Sequence, residues 1–204
     1  MRRKAKLQPE LSQEAIRVAA LRLIDDEGLD AFSTRKLGAA LGCEAMAIYW
    51  YYPSKEALLD AVVDLLMEGV AGAVTESGDW LATMRAVAHA YRRVAHDHPR
   101  AFPLLATRRF ASETTYGFME RLFELARAQG IADRVTARYY RVVSSYCNGF
   151  ALNELAGPPQ VRAQWRKFPR VHEVSKWLDP EHLDDIFAFG LELQLGALAK
   201  EQTR

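Results

Sequence analysis

Between Leu11 and Leu59 the chain is punctuated by helix starts and stops at intervals that leave room only for small packed helices. Ser12 stands where a cap accepts from the first free N–H groups. Leu11 ahead of it is placed to staple onto Ile16, and Gly28 supplies a left-handed stop. Between them Ala15, Ile16, Ala19, Leu23 and Ile24 recur at helical period. The device repeats: Ser33 caps, Phe32 staples onto Leu37, and Gly42 ends a second helix after Leu41. A third helix runs from Glu44-Ala45 to about Tyr51. Pro53 breaks the chain, and Ser54 caps a longer helix through Leu58, Leu59, Val62, Val63, Leu65 and Leu66. The tight link Leu41-Gly42-Cys43-Glu44 gives the second and third helices the proportions of a helix-turn-helix, whose second member lies in a DNA major groove.

From about Asp79 onward no strand alternation and no repeat period interrupts the helical pattern, so the fold class is all-α. A helix from Trp80 to His96 carries Trp80, Met84, Val87, Ala88, Tyr91 and Val94. Others span about Ser112–Ala128 and Ala132–Leu155, and a last one opens at Asp179-Pro180-Glu181 and reaches Lys200. Three segments follow: residues 1–53 with a helix-turn-helix, 54–78 as a connecting helix, and 79–204 as a second helical domain. A chain of 204 residues, 50% hydrophobic, has ample material for both. No apolar run approaches a membrane span, and Met-Arg-Arg-Lys-Ala-Lys lacks the apolar stretch of a signal peptide. Only Cys43 and Cys147 are present, far apart, which fits free thiols in a reducing cytoplasm.

Residues 11 to 66 resemble the DNA-binding domain of the tetracycline-repressor (TetR) family. The resemblance is carried by Ala15-Ile16 with Gly28, Ser33-Thr34-Arg35-Lys36-Leu37, Leu41-Gly42, Ile48-Tyr49-Trp50-Tyr51 and Ser54-Lys55-Glu56-Ala57-Leu58-Leu59-Asp60. The closing run from Phe187 to Leu198 is similar to the last helix of tetracycline-repressor-like proteins. The resemblance implies a homodimeric DNA-binding regulator with a helical ligand-binding and dimerisation domain.

Global charge does not announce a nucleic acid, because the net charge is only +1 and residues 1–56 hold nine basic against eight acidic side chains. Placement says more. Arg2, Arg3, Lys4 and Lys6 form a basic arm, which either lies along a groove or is a solvated tail. Thr34 and Arg35 open the second helix, where N–H groups suit a phosphate, and the resemblance lets Arg35 reach a guanine edge. It also sets Tyr49 and Tyr51 against the DNA backbone and Lys55 on a phosphate. Trp50 is expected in the core, packing the third helix onto the first. The recognition helix itself offers Glu44, Ala45, Met46 and Ala47. The last three donate no side-chain hydrogen bond; they suit thymine methyls, while Glu44 can accept from cytosine N4.

Two long helices carry apolar residues on more than one face and must bury both. Tyr139 and Val143 on the first, with Phe187, Leu191, Leu195 and Leu198 on the last, are the dimer-interface candidates in a four-helix arrangement. Gly190 and Gly196 permit close approach there. In the tetracycline repressor itself a His ligates a metal at the position matching Leu104, and its acidic support matches Asn153. A magnesium–drug complex would therefore meet no ligand set here. An apolar or aromatic effector follows, enclosed by some of Val87, Tyr91, Phe102, Leu104, Tyr116, Tyr146, Phe150 and Trp177, with Asn153 as polar anchor; ordinary core packing is the competing role for each.

His89 and His96 lie a heptad apart and do not make a zinc site, so no metal and no cofactor is expected. No phosphate-cradling glycine loop, Gly-x-Ser-x-Gly or His-Glu-x-x-His occurs, and nothing motivates an enzyme. The sequence thus reads as a cytoplasmic, non-membrane regulator whose partners are an operator duplex, a small-molecule effector and a second copy of the chain. Two alternatives stay open: a ligand-independent DNA-binding dimer, and a small-molecule-binding protein with a vestigial helix-turn-helix.

Overall fold

A computed structural model describes residues 11–74, 78–108, 112–157 and 167–202, with side chains as far as Ala197. The basic arm of Arg2, Arg3, Lys4 and Lys6 and the Leu198 side chain lie outside the described residues. Ten α-helices and no strand occur among them: α1 Gln13–Glu27, α2 Thr34–Leu41, α3 Ala45–Tyr49, α4 Lys55–Ala71, α5 Trp80–Asp97, α6 Phe102–Thr107, α7 Glu113–Ala128, α8 Asp133–Ala156, α9 Pro169–Ser175 and α10 Leu183–Gln202. Among the described residues no helix is long and apolar enough to cross a membrane.

The serine punctuation works as the sequence suggests. Ser12 Oγ accepts from the Ala15 N–H at 3.1 Å, Ser33 Oγ from Lys36 at 3.3 Å and Ser54 Oγ from Ala57 at 3.0 Å. Each satisfies one N–H that a helix start otherwise leaves unpaired. Gly28 and Gly42 adopt φ of 88° and 71°, a region where a side chain is strained. Later boundaries are less regular. The segment after Gly157 includes α9, which the sequence pattern did not announce. Pro180–His182 forms a 3-10 turn before α10, without a side-chain cap hydrogen bond from Asp179. The third helix stops at Tyr49, two residues short of the expected end.

The chain divides into two compact units. The first comprises residues up to Gly69 with Asp97–Tyr116, the second Val70–His96 with everything from Gly117 onward. In the first, α1 packs on α2 and α2 on α3 around Ile16, Ile24, Leu37 and Ile48, each at most 1% exposed. Polar latches hold the 97–116 segment within this unit. Arg100 donates to the Asp25 and Asp26 carbonyls at the end of α1, and His98 Nδ1 lies 2.7 Å from Asp25 Oδ2. Arg108 bonds Asp60 and the Glu56 carbonyl, and Ser112 Oγ donates to Asp64 Oδ1 at 2.5 Å. These pairs explain why packing groups α6 with the first unit rather than with the helices that flank it in sequence.

The second unit is organised around Trp80, which is fully buried and donates from Nε1 to the Leu122 carbonyl at 3.1 Å. Its backbone N–H donates to Gln129 Oε1, whose amide nitrogen in turn donates to the Gly78 carbonyl. In the same unit α8 and α10 pack together. A Cβ on Gly190 would sit 2.7 Å from Tyr146 Cζ, so this glycine admits the Tyr146 ring of its own chain. Tyr146 then donates its hydroxyl proton to the Phe187 carbonyl at 2.9 Å.

Gly38 is the tightest backbone approach in the first unit, since a Cβ there would lie 2.7 Å from the Cys43 carbonyl oxygen. Gly38→Ala is expected to destabilise the chain by about 1–3 kcal/mol through overpacking. Gly117→Ala, in open space within α7, should instead gain up to about 1 kcal/mol. Urea unfolding of the two variants checks the opposite signs.

Candidate nucleic-acid interface

The helix-turn-helix is fixed from both sides. Gly42 turns the chain, Cys43 N–H donates to the Gly38 carbonyl at 2.9 Å, and Ile48, 1% exposed, anchors α3 inward. At the far end Tyr51 donates its hydroxyl proton to the Leu11 carbonyl at 2.7 Å, and Tyr52 donates to the Gln13 carbonyl at 3.0 Å. Between α2 and α3 the Thr34 and Tyr49 hydroxyls lie 3.3 Å apart. Helix α3 is thereby held against both α1 and α2, and its remaining face points to solvent.

That face corrects one expectation. Trp50 is not core but 88% exposed, and Met46, one helical turn before it, is 68% exposed. The residue that turns inward is Tyr52, after the helix has ended. Positions i and i+4 share a helix side, so Met46 and Trp50 form one outward apolar strip. Ala45 and Ala47 flank it half-buried, and Glu44 is exposed at the start.

The expected DNA contacts divide into available and engaged groups. Arg35 is exposed and makes no ion pair among the described residues. Its neighbour Lys36 lies 2.5 Å from Glu27, an exposed pair worth little and easily exchanged for a phosphate. Lys55 donates one proton to the Phe32 carbonyl at 3.2 Å and sits 5.5 Å from that ring's centroid, leaving two donors. Tyr51 is a strut: its one hydroxyl proton is committed to Leu11, so it has none for a phosphate oxygen.

In the second unit the structure redistributes the candidates of the effector site. Phe102 and Leu104 are buried on α6, in the first unit, whereas Tyr116 is 57% exposed. Asn153 is exposed, and Trp177, 60% exposed, lies tilted near His182 with ring centroids 5.4 Å apart. Tyr91 donates its hydroxyl proton to Asn148 Oδ1 at 3.0 Å. Burial raises the Tyr91 phenol above its ordinary range, so it stays a neutral donor. Tyr146 and Phe150 meet Phe187 with ring centroids 5.6 and 5.2 Å away.

At that aromatic cluster stands a group that helical periodicity did not single out. The Arg92 guanidinium lies 4.9 Å from the Phe187 centroid and 5.7 Å from that of Phe150. It donates to both Glu154 oxygens, at 2.8 and 2.6 Å, and to Asp184 at 2.7 Å. The bond to Glu154 is the main cause holding its pKa above the usual arginine value. Cys147 nearby in sequence has its thiol pushed up to about 12 by burial, which makes it an inert core residue. Among the described residues no group of three His, Cys, Asp or Glu is arranged to hold a metal.

The dimer-interface candidates are also re-sorted. Tyr139, Val143, Phe187, Leu191 and Leu195 are all at most 8% exposed within the single chain, so they form its own core and not an outer face. Phe187, Leu191 and Leu195 follow i, i+4, i+8 on the inward side of α10. Among the described residues, the large apolar side chains left outward on these two helices are Phe189 and Leu193 on α10, 68% and 60% exposed, and Val142 on α8.

Comparison with known proteins bears on both units. Residues 16–62 match the profile of the bacterial regulatory proteins of the tetR family, and residues 73–201 that of the tetracyclin repressor-like C-terminal domain. An HTH-type transcriptional regulator of Saccharopolyspora erythraea is 29% identical over 72% of this chain but only 62% of its own length, so the chain spans about three-fifths of that relative. The class G tetracycline repressor protein of Vibrio anguillarum is 26% identical over 89% of this chain and 90% of its own. A crystal structure of a possible TetR family transcriptional regulator from Streptomyces coelicolor A3(2) superposes with a TM-score of 0.79. It is 28% identical and covers 93% of this chain and 99% of that one.

Deleting the Arg92 guanidinium leaves the buried Glu154, whose side chain is 5% exposed, without its two strong hydrogen bonds. Among the described residues only the more distant His96 Nε2, at 3.5 Å, then faces that carboxylate. Arg92→Ala is expected to cost about 3–5 kcal/mol. Asp184→Asn should cost less than about 1 kcal/mol, because that carboxylate is 89% exposed. Thermal and urea unfolding of both variants test the ranking.

Proposed function

This chain belongs to the tetR family of bacterial regulatory proteins, and from that premise we propose that it is a homodimeric transcriptional repressor. It holds a palindromic operator and leaves it when a small molecule binds the second unit. The observation that carries the reading is the braced, solvent-facing helix α3, with Met46 and Trp50 outward and the exposed Arg35 beside it, which makes no ion pair among the described residues.

In this reading Arg35 reaches a base edge, guanine O6/N7 being its natural bidentate target, while Thr34, Tyr49, Lys36 and Lys55 lie along the phosphates. Glu44, Ala45, Met46 and Ala47 face the groove floor, and Trp50 lies against its wall. The second copy docks through the outward face of α8 and α10 at Val142, Phe189 and Leu193, which one chain alone leaves in water. Two-fold symmetry then sets half-site centres about one helical turn apart, roughly 34–36 Å.

The effector is apolar or aromatic, a reading supported by the Tyr146–Phe150–Phe187 cluster of the second unit, which offers rings rather than hard-cation ligands. It acts by binding the DNA-incompetent state more tightly. A ~100-fold preference supplies about 2.7 kcal/mol, enough to empty a moderately occupied operator. Helix α4 is the element that carries this difference, because its first turn is tied by Lys55 to the Phe32 carbonyl just ahead of α2.

Selection of bound sequences from random duplex DNA, followed by anisotropy titration at two salt concentrations, tests the reading. A palindromic consensus is expected; weak binding that tracks salt with no consensus would overturn it. On the selected duplex Arg35→Ala should weaken binding about 10- to 100-fold, worth ~1–3 kcal/mol. For the dimer, the double variant Phe189→Glu, Leu193→Glu should sediment at half the wild-type mass while keeping its helical circular dichroism.

A further inference from the structure

We propose that α3 chooses its operator chiefly by reading pyrimidine C5 methyl groups in the major groove, with Met46 as the reading side chain. The inference rests on the DNA-binding reading above and names what that face recognises.

The hydrogen-bonding capacity of α3 is confined to its ends. Glu44 stands at the start, the Tyr49 hydroxyl is drawn to Thr34 at 3.3 Å, and Trp50 carries a single indole N–H at the close. The middle of the face is Ala45, Met46 and Ala47, which have no side-chain donor. Hydrogen-bond readout of base edges uses Arg, Lys, Asn, Gln, Glu, Asp, Ser or Thr side chains, and residues 45–47 include none of these. The thymine methyl is the one major-groove feature that an aliphatic side chain recognises.

The geometry favours that contact. Met46 stands 68% exposed on a helix braced at both ends, so its position is set before any duplex arrives. The small side chains of Ala45 and Ala47 let the backbone sit close to the base edges. The unbranched thioether then adapts to a methyl without a fixed hydrogen-bond angle. Burying one methyl against it is worth about fourfold in affinity. A palindrome presents each contact twice, hence about 15-fold per symmetric pair when the two sites are independent. Thymine and 5-methylcytosine both offer this methyl.

The test uses the full chain and the duplex selected from random sequence. Each symmetric pair of thymines is replaced by deoxyuridine, which removes only the methyl. At sensitive positions cytosine is then compared with 5-methylcytosine. Wild type should lose about 15-fold at one or two pairs per operator, and Met46→Ala should lose most of that sensitivity while still binding. If 5-methylcytosine exceeds cytosine by a similar factor, either base serves as the methyl source; if it does not, thymine is the source. Deoxyuridine that is neutral everywhere, or a penalty undiminished in Met46→Ala, overturns the proposal while leaving specific DNA binding intact. Failure to select any sequence removes the DNA-binding reading itself and this inference with it.

Discussion

A helix can read a groove only if its own position is settled beforehand, and here that depends on one close backbone approach. The Cys43 carbonyl passes Gly38 at a distance no β-carbon would tolerate, and the left-handed Gly42 returns the chain immediately. Everything distal follows from that turn. Ile48 reaches the core, Tyr51 and Tyr52 tie the end of α3 to the first turn of α1, and the opposite face is left to solvent. The apolar exposure of Met46 and Trp50 is therefore a consequence of a rigid turn rather than of loose packing. Such a strip is costly for a lone chain unless something covers it.

The second unit solves a different problem with a buried charge. Arg92 lies against two phenylalanine rings, and its charge is met by Glu154 from α8 and Asp184 from α10. Burying such a group gains little net stability, but it penalises any arrangement that separates the three helices. Gly190 and Tyr146 add a steric key at the same crossing. Together they fix which face of α10 turns inward, and so which residues are left facing outward. The outward set of Phe189 and Leu193 is the complement of the inward Phe187, Leu191 and Leu195.

Local chemistry was legible in the residues, and long-range choice was not. Ser12, Ser33 and Ser54 act as caps because a cap needs only its own next three residues. Trp50 was misplaced because Ile48 to Tyr52 is an unbroken apolar run, and periodicity does not say where a short helix ends inside one. The inward places went to Ile48 and Tyr52, and Trp50 was turned out. Helix α10 posed the same ambiguity, with apolar residues on every side. Its rotational phase was set by Tyr146 and Arg92, partners tens of residues away. Asn148 meets Tyr91 for a similar reason: that contact is set by the crossing of α5 and α8, which periodicity along α8 does not reveal.

The charge pattern explains how such a face can serve a switch. In the first unit Arg17 is spent on Glu14 and Glu68, Arg100 on the end of α1, and Arg108 on Asp60. Among the described residues of that unit, Arg22, Arg35 and Lys55 make no ion pair and Lys36 makes only an exposed one, so these are the cations left to meet phosphates. In the proposed reading, discrimination adds to the Arg35 contact the fit of the braced α3, the spacing of two copies, and apolar contacts along the groove floor. Fit of this kind fails steeply when spacing changes, because small contacts are lost together when a helix withdraws. A regulator that binds through shape and methyl groups can therefore be released by an effector with only a modest preference between two states.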